Sequence, residues 1–320
     1  MKTKRAFLVE PRKIEIREID LPMKDNQIMI KVASSGLCTW ELNFWKGILR
    51  TDCYPYSLGH EFAGTVVEVG KNVTDFKIGD KVASLTGYQG FSEYAACNLN
   101  NTFKLADSVD PKYALGEPLK CVTTVLQATQ PQPGDIGVIV GCGPMGQWCI
   151  QALSGGYLSG LIAIDIDDAK LELAKKFGAT AVINSAKENA VEKLAEITGG
   201  LMADFVIEGT GIPALLNQAQ DYLKPTGRGR LLLMSSHEEV CHEFDFRKAV
   251  SKAIDLRVPH PRHSLNNLDD MRRAVALINS GTFQIKPLVT HEFGLSQIME
   301  AFETLEHRPA GYMKGIVCPD

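Results

Sequence analysis

The chain has 320 residues, which suggests about two domains, and its 45% hydrophobic and 22% charged composition is that of a globular protein with a real core. A net charge of −4 excludes the strongly basic face that nucleic acid or an anionic membrane rewards. No apolar run is long enough to span a bilayer, and no two of the eight cysteines are spaced C-x-x-C, which excludes a zinc ribbon or thioredoxin motif. A chain this large needs no disulfide framework, so reduced thiols in a cytoplasmic protein are expected.

Residues 1–118 read as β-rich. "MKTKRAFLVE" is basic and then apolar, with too short an apolar part for a secretory signal, and reads as a first strand. "RKIEIREI" alternates as a half-buried strand does, and "QIMIKVASSG", "FAGTVVEVG" and "DKVASL" are further short strands bounded by Gly, Asn or Asp. From residue 119 the texture changes to apolar runs separated by helical stretches. "DIGVIVGCGPMG", "GLIAIDID", "ATAVINS", "ADFVIEGTG" and "RGRLLLMSS" read as buried strands. "DAKLELAKKFGA" is a helix with Leu171, Leu173 and Ala174 on one face and Gly178 as its stop, and "PALLNQAQDYL" is another. Such alternation predicts a parallel sheet with helices on both faces. After residue 262 the pattern shifts again, to a capped helix "NLDDMRRAVALINSG", a strand "KPLVTHEF", a helix "LSQIMEAFETLE" and a strand-like end "GYMKGIVCPD".

Gly141, Gly143 and Gly146 form G-x-G-x-x-G between an apolar strand and a helix that takes in Pro144 and Met145. The first glycine turns the chain, the second admits a pyrophosphate, and the third lets helix pack on strand. The helix N-terminus offers free N–H groups to the phosphates. Asp165, 19 residues after Gly146, closes the next strand. Its carboxylate suits the ribose hydroxyls and repels the extra phosphate of NADP, as do Asp167 and Asp168, so NAD is expected. Lys170 is either a second ribose contact or a solvated helix residue.

"SLGHEFAG" sets His60 and Glu61 side by side. Candidate further metal ligands are Cys38, 22 residues before His60, and Glu117, 56 residues after Glu61. These separations are unlike a zinc finger and suit a site assembled by the fold, with three protein ligands and an open position.

The order "GLCTWEL", "GHEFAGTVVEVG…FKIGDKV", "GFSEY", "GEPL", "VIVGCGPMG", "IAIDID" and "DFVIEGTG" resembles the zinc-dependent medium-chain dehydrogenase/reductase family over essentially the whole chain. "GHE" followed by "EPL" is most similar to its polyol branch, the sorbitol-type dehydrogenases. The resemblance implies a GroES-like catalytic domain (1–118), a Rossmann NAD-binding domain (119–262), a C-terminal return to the catalytic domain (263–320), and an active site in the cleft between the domains. It implies one catalytic Zn²⁺ drawn from Cys38, His60, Glu61 and Glu117. Gly209, Thr210 and Ser235 would lie beneath the nicotinamide half, and Lys314 would meet the pyrophosphate. A homodimer or homotetramer acting on a small alcohol or polyol is expected.

Two departures from the family stand out. "VASLTGYQGFSEY" runs straight across the position of a four-cysteine structural-zinc lobe. Thr39, Trp40 and Glu41 replace the usual Gly, Ser/Thr and Asp after the first ligand, so Trp40 stands where a proton-relaying hydroxyl is usual. Trp40 is then a candidate apolar wall for a sugar or cyclitol ring, and Glu41, Glu61 and water are the candidates for proton exit. Phe44 and Trp45 have core as their ordinary fate. The resemblance implies hydride transfer from a secondary alcohol to NAD. The rivals are a zinc-free NADPH-dependent quinone or enoyl reductase on the same fold, and a non-catalytic NAD-binding relative.

Overall fold

Strands rich in Val, Ile and Leu need both faces covered when they pair in parallel. The computed structural model, which describes residues 1–49, 52–236 and 240–319, meets that need in one of two compact units. One unit comprises Met1–Lys120 with Leu268–Asp320, the other Cys121–Asn267.

The second unit holds a six-stranded parallel sheet of Ile136–Val140, Gly160–Asp165, Ala181–Asn184, Phe205–Glu208, Arg230–Leu233 and Asp255–Arg257. Numbered in chain order, they lie 3-2-1-4-5-6, the dinucleotide-binding arrangement whose strand order reverses beside the first strand. Val138, Ile162, Ile183, Val206 and Leu231 lie at its core with Leu194, Leu216 and Tyr222. In the helix Asp168–Lys176, Leu171 and Ala174 are buried but Leu173 is only half-buried. Two residues on from Leu171 the helix has turned about 200°, so Leu173 leaves the face that Leu171 and Ala174 share.

The first unit is β-rich. Lys2–Glu10 pairs with Lys13–Asp20 and Tyr56–Ser57, and a seven-stranded sheet is built around Gln27–Gly36. That strand pairs antiparallel with Phe62–Val69, with Tyr94–Asn98 and with the last strand, Lys314–Cys318. Tyr94–Asn98 is not legible as a strand from its Ala- and Cys-rich sequence; its partners and burial supply what propensity does not. Phe44 and Trp45 are core, the latter stacked on Phe302 with ring centroids 5.9 Å apart. They lie on the short helix Thr39–Trp45. No helix among the described residues is long and apolar enough to cross a membrane.

Candidate metal centre and dinucleotide site

Strand register explains why residues far apart in sequence meet. Gln27–Gly36 and Phe62–Val69 are antiparallel neighbours with Ser35 opposite Phe62. The chain leaving the first strand therefore passes the chain entering the second, and the Gly36 N–H donates to the Glu61 carbonyl at 2.8 Å. Cys38 and His60–Glu61 are thus brought to one end of the sheet. The Cys38 thiol, a ring nitrogen of His60 and a carboxylate oxygen of Glu61 all lie within 4.8 Å of one another.

The last strand completes this end. Ile316 lies opposite Gly36, and the Leu37 N–H donates to the Gly315 carbonyl at 3.0 Å. Lys314 is 7% exposed, and its Nζ donates to Glu61 Oε2 at 2.6 Å and to the Leu37 carbonyl at 2.9 Å. This corrects the expectation that Lys314 meets the pyrophosphate. A buried ammonium needs an anionic partner, and the register supplies Glu61.

Glu117 enters from the helix Gly116–Thr129. Its Oε2 lies 3.6 Å from His60 Nε2, and its Oε1 accepts from Lys120 Nζ at 2.8 Å. Glu117 is not among the three residues whose donor atoms all lie within 4.8 Å of one another. Lys120 is 8% exposed, and three residues on from Glu117 in a helix it shares that residue's face.

Glu41, a candidate for proton exit, is fully buried. One oxygen accepts from the Gly59 N–H at 2.5 Å, and the other lies 3.2 Å from His60 Nδ1. One oxygen is thus bonded to the backbone beside His60, and the other faces the His60 ring. A carboxylate on Nδ1 leaves Nε2 as the nitrogen that faces outward to a metal. Replacing Glu41 with Ala is expected to weaken zinc binding 10–100-fold, read by competition with a chelator.

Burial pushes the His60 imidazolium down, but Glu41 and Cys38 outweigh it and hold the group well above its ordinary value. Burial and then the Glu61 carboxylate push the Cys38 thiol up. Burial works to raise the Glu117 carboxyl, but His60 and Lys120 together bring it below the usual range. A metal taking Cys38 and His60 must displace their protons. With those protons gone, one thiolate and three carboxylates face two ammonium groups, leaving two negative charges for a divalent cation to cancel. The sulfur, imidazole and carboxylate donors are those of a zinc site.

Gly36 is required by this packing. A Cβ there would stand 2.0 Å from Glu61 Oε2 and 3.2 Å from a Leu115 methyl. Gly36→Ala therefore drives Glu61 from Lys314, and separating a buried ion pair costs about 3 kcal/mol. Denaturant unfolding of the variant is the check.

Aromatic rings flank the centre. Tyr88 lies 5.4 Å from the His60 ring and 6.1 Å from Phe44, and half-buried Trp40 meets Phe44 edge-on at 5.6 Å. Tyr88 carried no signal in the sequence.

In the second unit, Gly141 has φ +91°, a conformation that favours glycine, and a Cβ on Gly146 would stand 2.1 Å from the Gly141 carbonyl oxygen. At Gly143 a Cβ would meet nothing within 4 Å, so the backbone there is open to approach. Pro144 opens the helix Pro144–Leu153, where its missing N–H costs nothing, and Met145 follows in the first turn. Asp165 Oδ2 accepts from the Cys142 N–H at 2.7 Å, and Oδ1 from the N–H groups of Ile166 and Asp167 at 2.8 and 3.0 Å. The carboxylate therefore ties the glycine loop to its own turn. Asp167 caps the helix carrying Lys170, and Asp168 pairs with Lys187 and Asn184. Buried Glu208 organises the next loop by accepting from the Thr210 N–H at 2.7 Å and from the Thr210 hydroxyl. Gly209 packs beneath Met234, and Ser235 beside Gly211.

Residues 24–107 match the alcohol dehydrogenase GroES-like domain family, and residues 144–280 match the zinc-binding dehydrogenase family. The chain is 30% identical to L-threonine 3-dehydrogenase of Pyrococcus abyssi, covering 97% of this chain and 96% of that protein. It belongs to the zinc-type medium-chain dehydrogenase/reductase family. It is 27% identical to a sorbitol dehydrogenase of Halalkalibacterium halodurans, over 88% of this chain and 89% of that one. The solved 2R,3R-butanediol dehydrogenase of Bacillus subtilis superposes with a TM-score of 0.86 at 26% identity, covering 99% of this chain and all of that one. This medium-chain dehydrogenase is thus an enzyme of the alcohol dehydrogenase class, and zinc and NAD(P) are the cofactors typical of its family.

Proposed function

We propose that this dehydrogenase oxidises a secondary hydroxyl of a polyol, sugar alcohol or cyclitol, passing hydride to NAD, with Zn²⁺ held by Cys38, His60 and Glu61 and with Glu117 beside it. The observation that carries the reading is the three donor atoms within 4.8 Å of one another.

Zinc supplies a Lewis acid that eases loss of the hydroxyl proton, as it lowers the pKa of water from about 15.7 to about 7. The chain does the rest. Glu41 fixes the His60 ring, and Lys314 holds one oxygen of Glu61. Half-buried Trp40 and Tyr88, backed by the core residue Phe44, give an apolar surface of the kind that packs on the C–H face of a sugar or cyclitol ring. Gly143 and the first turn at Pro144 and Met145 admit the pyrophosphate, and Asp165 accepts from the ribose hydroxyls. The thiol–imidazole–carboxylate set and Asp165 both speak against a zinc-free NADPH reductase.

The test is elemental analysis for zinc, followed by NAD and NADP reduction across polyols, cyclitols, simple alcohols, 2,3-butanediol and L-threonine. About one zinc per chain with chelator-sensitive NAD reduction on polyols or cyclitols supports the proposal. Turnover on L-threonine alone overturns the substrate class. Metal-free NADPH oxidation overturns the chemistry, and NAD binding without turnover makes the chain a non-catalytic relative.

A further inference from the structure

The first strand alternates, and the alternation buries a cation. Along Lys2–Glu10, Lys2 and Lys4 are exposed, whereas Thr3 and Arg5 face inward, with Arg5 8% exposed. A buried guanidinium calls for an anionic partner. Among the described residues no carboxylate pairs with Arg5. Its Nη2 donates to Gln89 Oε1 at 3.0 Å, and its Nε is buried with no hydrogen-bond partner. The neighbouring Cys97 thiol supplies no charge at neutral pH, because burial pushes that group up to about 12. Arg5 is thus a buried cation held by a neutral amide.

Gln89 lies in the stretch that runs across the position of the absent four-cysteine lobe. Its side chain makes three hydrogen bonds. Oε1 accepts from Arg5, and Nε2 donates to the Thr86 carbonyl at 3.2 Å and to the Ala96 carbonyl at 3.1 Å. It ties the loop tip, residues 86–89, to the strand Tyr94–Asn98 and to the first strand. The loop has other anchors at its two ends. The Thr86 hydroxyl accepts from the Asn98 N–H at 3.1 Å. The Gly90 N–H donates to the Gly59 carbonyl at 2.7 Å, and the Ala6 N–H to the Phe91 carbonyl at 2.9 Å. Between these ends stands Gly87, exposed, with φ +63° and nothing within 4 Å of a Cβ built on it, so backbone freedom is concentrated at the tip. Tyr88 is carried there, with its ring 5.4 Å from that of His60.

We infer, resting on the polyol reading above, that Arg5 and Gln89 are positioning residues that hold the 86–89 tip where relatives carry a lobe, and so help to keep Tyr88 beside His60 as a wall for a ring-shaped substrate. The guanidinium does this at a cost to stability. Desolvating a charge that has no counter-charge is unfavourable, and an apolar side chain of similar volume in such a place is often neutral or stabilising. Gln89 is half-buried, so water can replace the donor that its Oε1 would lose. Loss of Arg5 therefore acts locally: the fold keeps its stability while the tip loosens. A residue that served only the core would show the opposite.

The experiment compares the full chain as wild type, Arg5→Met, Gln89→Met and the double variant. Amide hydrogen exchange is read first, by mass spectrometry and without substrate. Exchange across residues 86–91 is expected to rise about tenfold in each variant, the effect of losing a hydrogen bond to a charged group, while the strand Phe62–Val69 stays protected. The double variant is expected to match Gln89→Met rather than to add the two effects. The denaturation midpoint of Arg5→Met is expected to equal or exceed that of wild type. With substrate, KM for the best polyol or cyclitol of the panel is expected to rise about tenfold while kcat stays within about threefold, and kcat/KM for 2-propanol is expected to fall much less. Arg5→Lys, which restores a buried donor, is expected to recover part of the protection and of the KM. Unchanged exchange at the tip, or additive effects in the double variant, overturns the inference. An Arg5→Met protein that unfolds or exchanges throughout makes Arg5 a core residue and overturns it too, as does a loosened tip with an unaltered KM. Absence of wild-type turnover on every polyol and cyclitol overturns the substrate reading, and the exchange result then decides by itself whether Arg5 and Gln89 hold the tip.

Discussion

A Cys38→Ser variant is expected to lose its zinc and about three orders of magnitude in kcat/KM. The figure follows from the task given to the metal. Polarising the reacting oxygen is worth several kcal/mol, and about 4 kcal/mol at 1.36 kcal/mol per tenfold is close to 10³. Serine keeps the shape of the side chain but offers a hydroxyl that does not ionise as a thiol does. With the thiolate gone, two ammonium groups face three carboxylates, and a divalent cation no longer balances the cluster. The measurement is zinc by elemental analysis beside NAD reduction with the best substrate of the panel. A serine variant that keeps one zinc and wild-type turnover would remove Cys38 from the site. The Asp165 loop belongs to the other unit, so NAD binding by the zinc-free variant should be nearly unchanged. Titration calorimetry separates that result from general unfolding.

How much of this was legible in the sequence depends on how local each feature is. The glycine loop was readable because strand, turn and helix N-terminus are consecutive, and Gly141 and Gly146 have their reasons within a few residues, a positive φ and the closeness of the Gly141 carbonyl. The meeting of Cys38 with His60 and Glu61 was not readable from spacing. It depends on the register that sets Ser35 opposite Phe62, and only resemblance to a known family suggested it. Lys314 shows the limit of that resemblance. A lysine before an apolar strand looks solvated or phosphate-binding, and its burial against Glu61 is decided by a pairing between residues about 280 apart in sequence. Glu41 makes a related point. Its place beside a ligand is readable, whereas its full burial and its bond to the Gly59 N–H are tertiary facts. Lys120 differs from these two. Its place one turn beyond Glu117 is legible from helix spacing alone, while its burial is not.

The second large effect is expected at Asp165. Asp165→Gly removes a carboxylate that would accept from both ribose hydroxyls, and a hydrogen bond to a charged group is worth about 1.5–3 kcal/mol. The KM for NAD is therefore expected to rise about 10–100-fold. Activity with NADP is expected to fall much less or to rise, since the same substitution withdraws the charge that repels a 2′-phosphate. The structure adds a cost the sequence did not announce. The carboxylate also accepts from the N–H groups of Cys142, Ile166 and Asp167, so its loss loosens the loop that carries the pyrophosphate. That loosening weakens both dinucleotides alike, whereas loss of the ribose contacts weakens NAD alone. Asp165→Asn separates the two effects in part: it keeps one oxygen to accept from the Ile166 and Asp167 N–H groups, loses the acceptor for the Cys142 N–H and removes the charge. The asparagine variant should bind NAD better than the glycine variant while still accepting NADP more readily than wild type. If the ratio of kcat/KM for the two cofactors is the same in all three proteins, Asp165 is a structural tie of the loop and cofactor choice lies elsewhere.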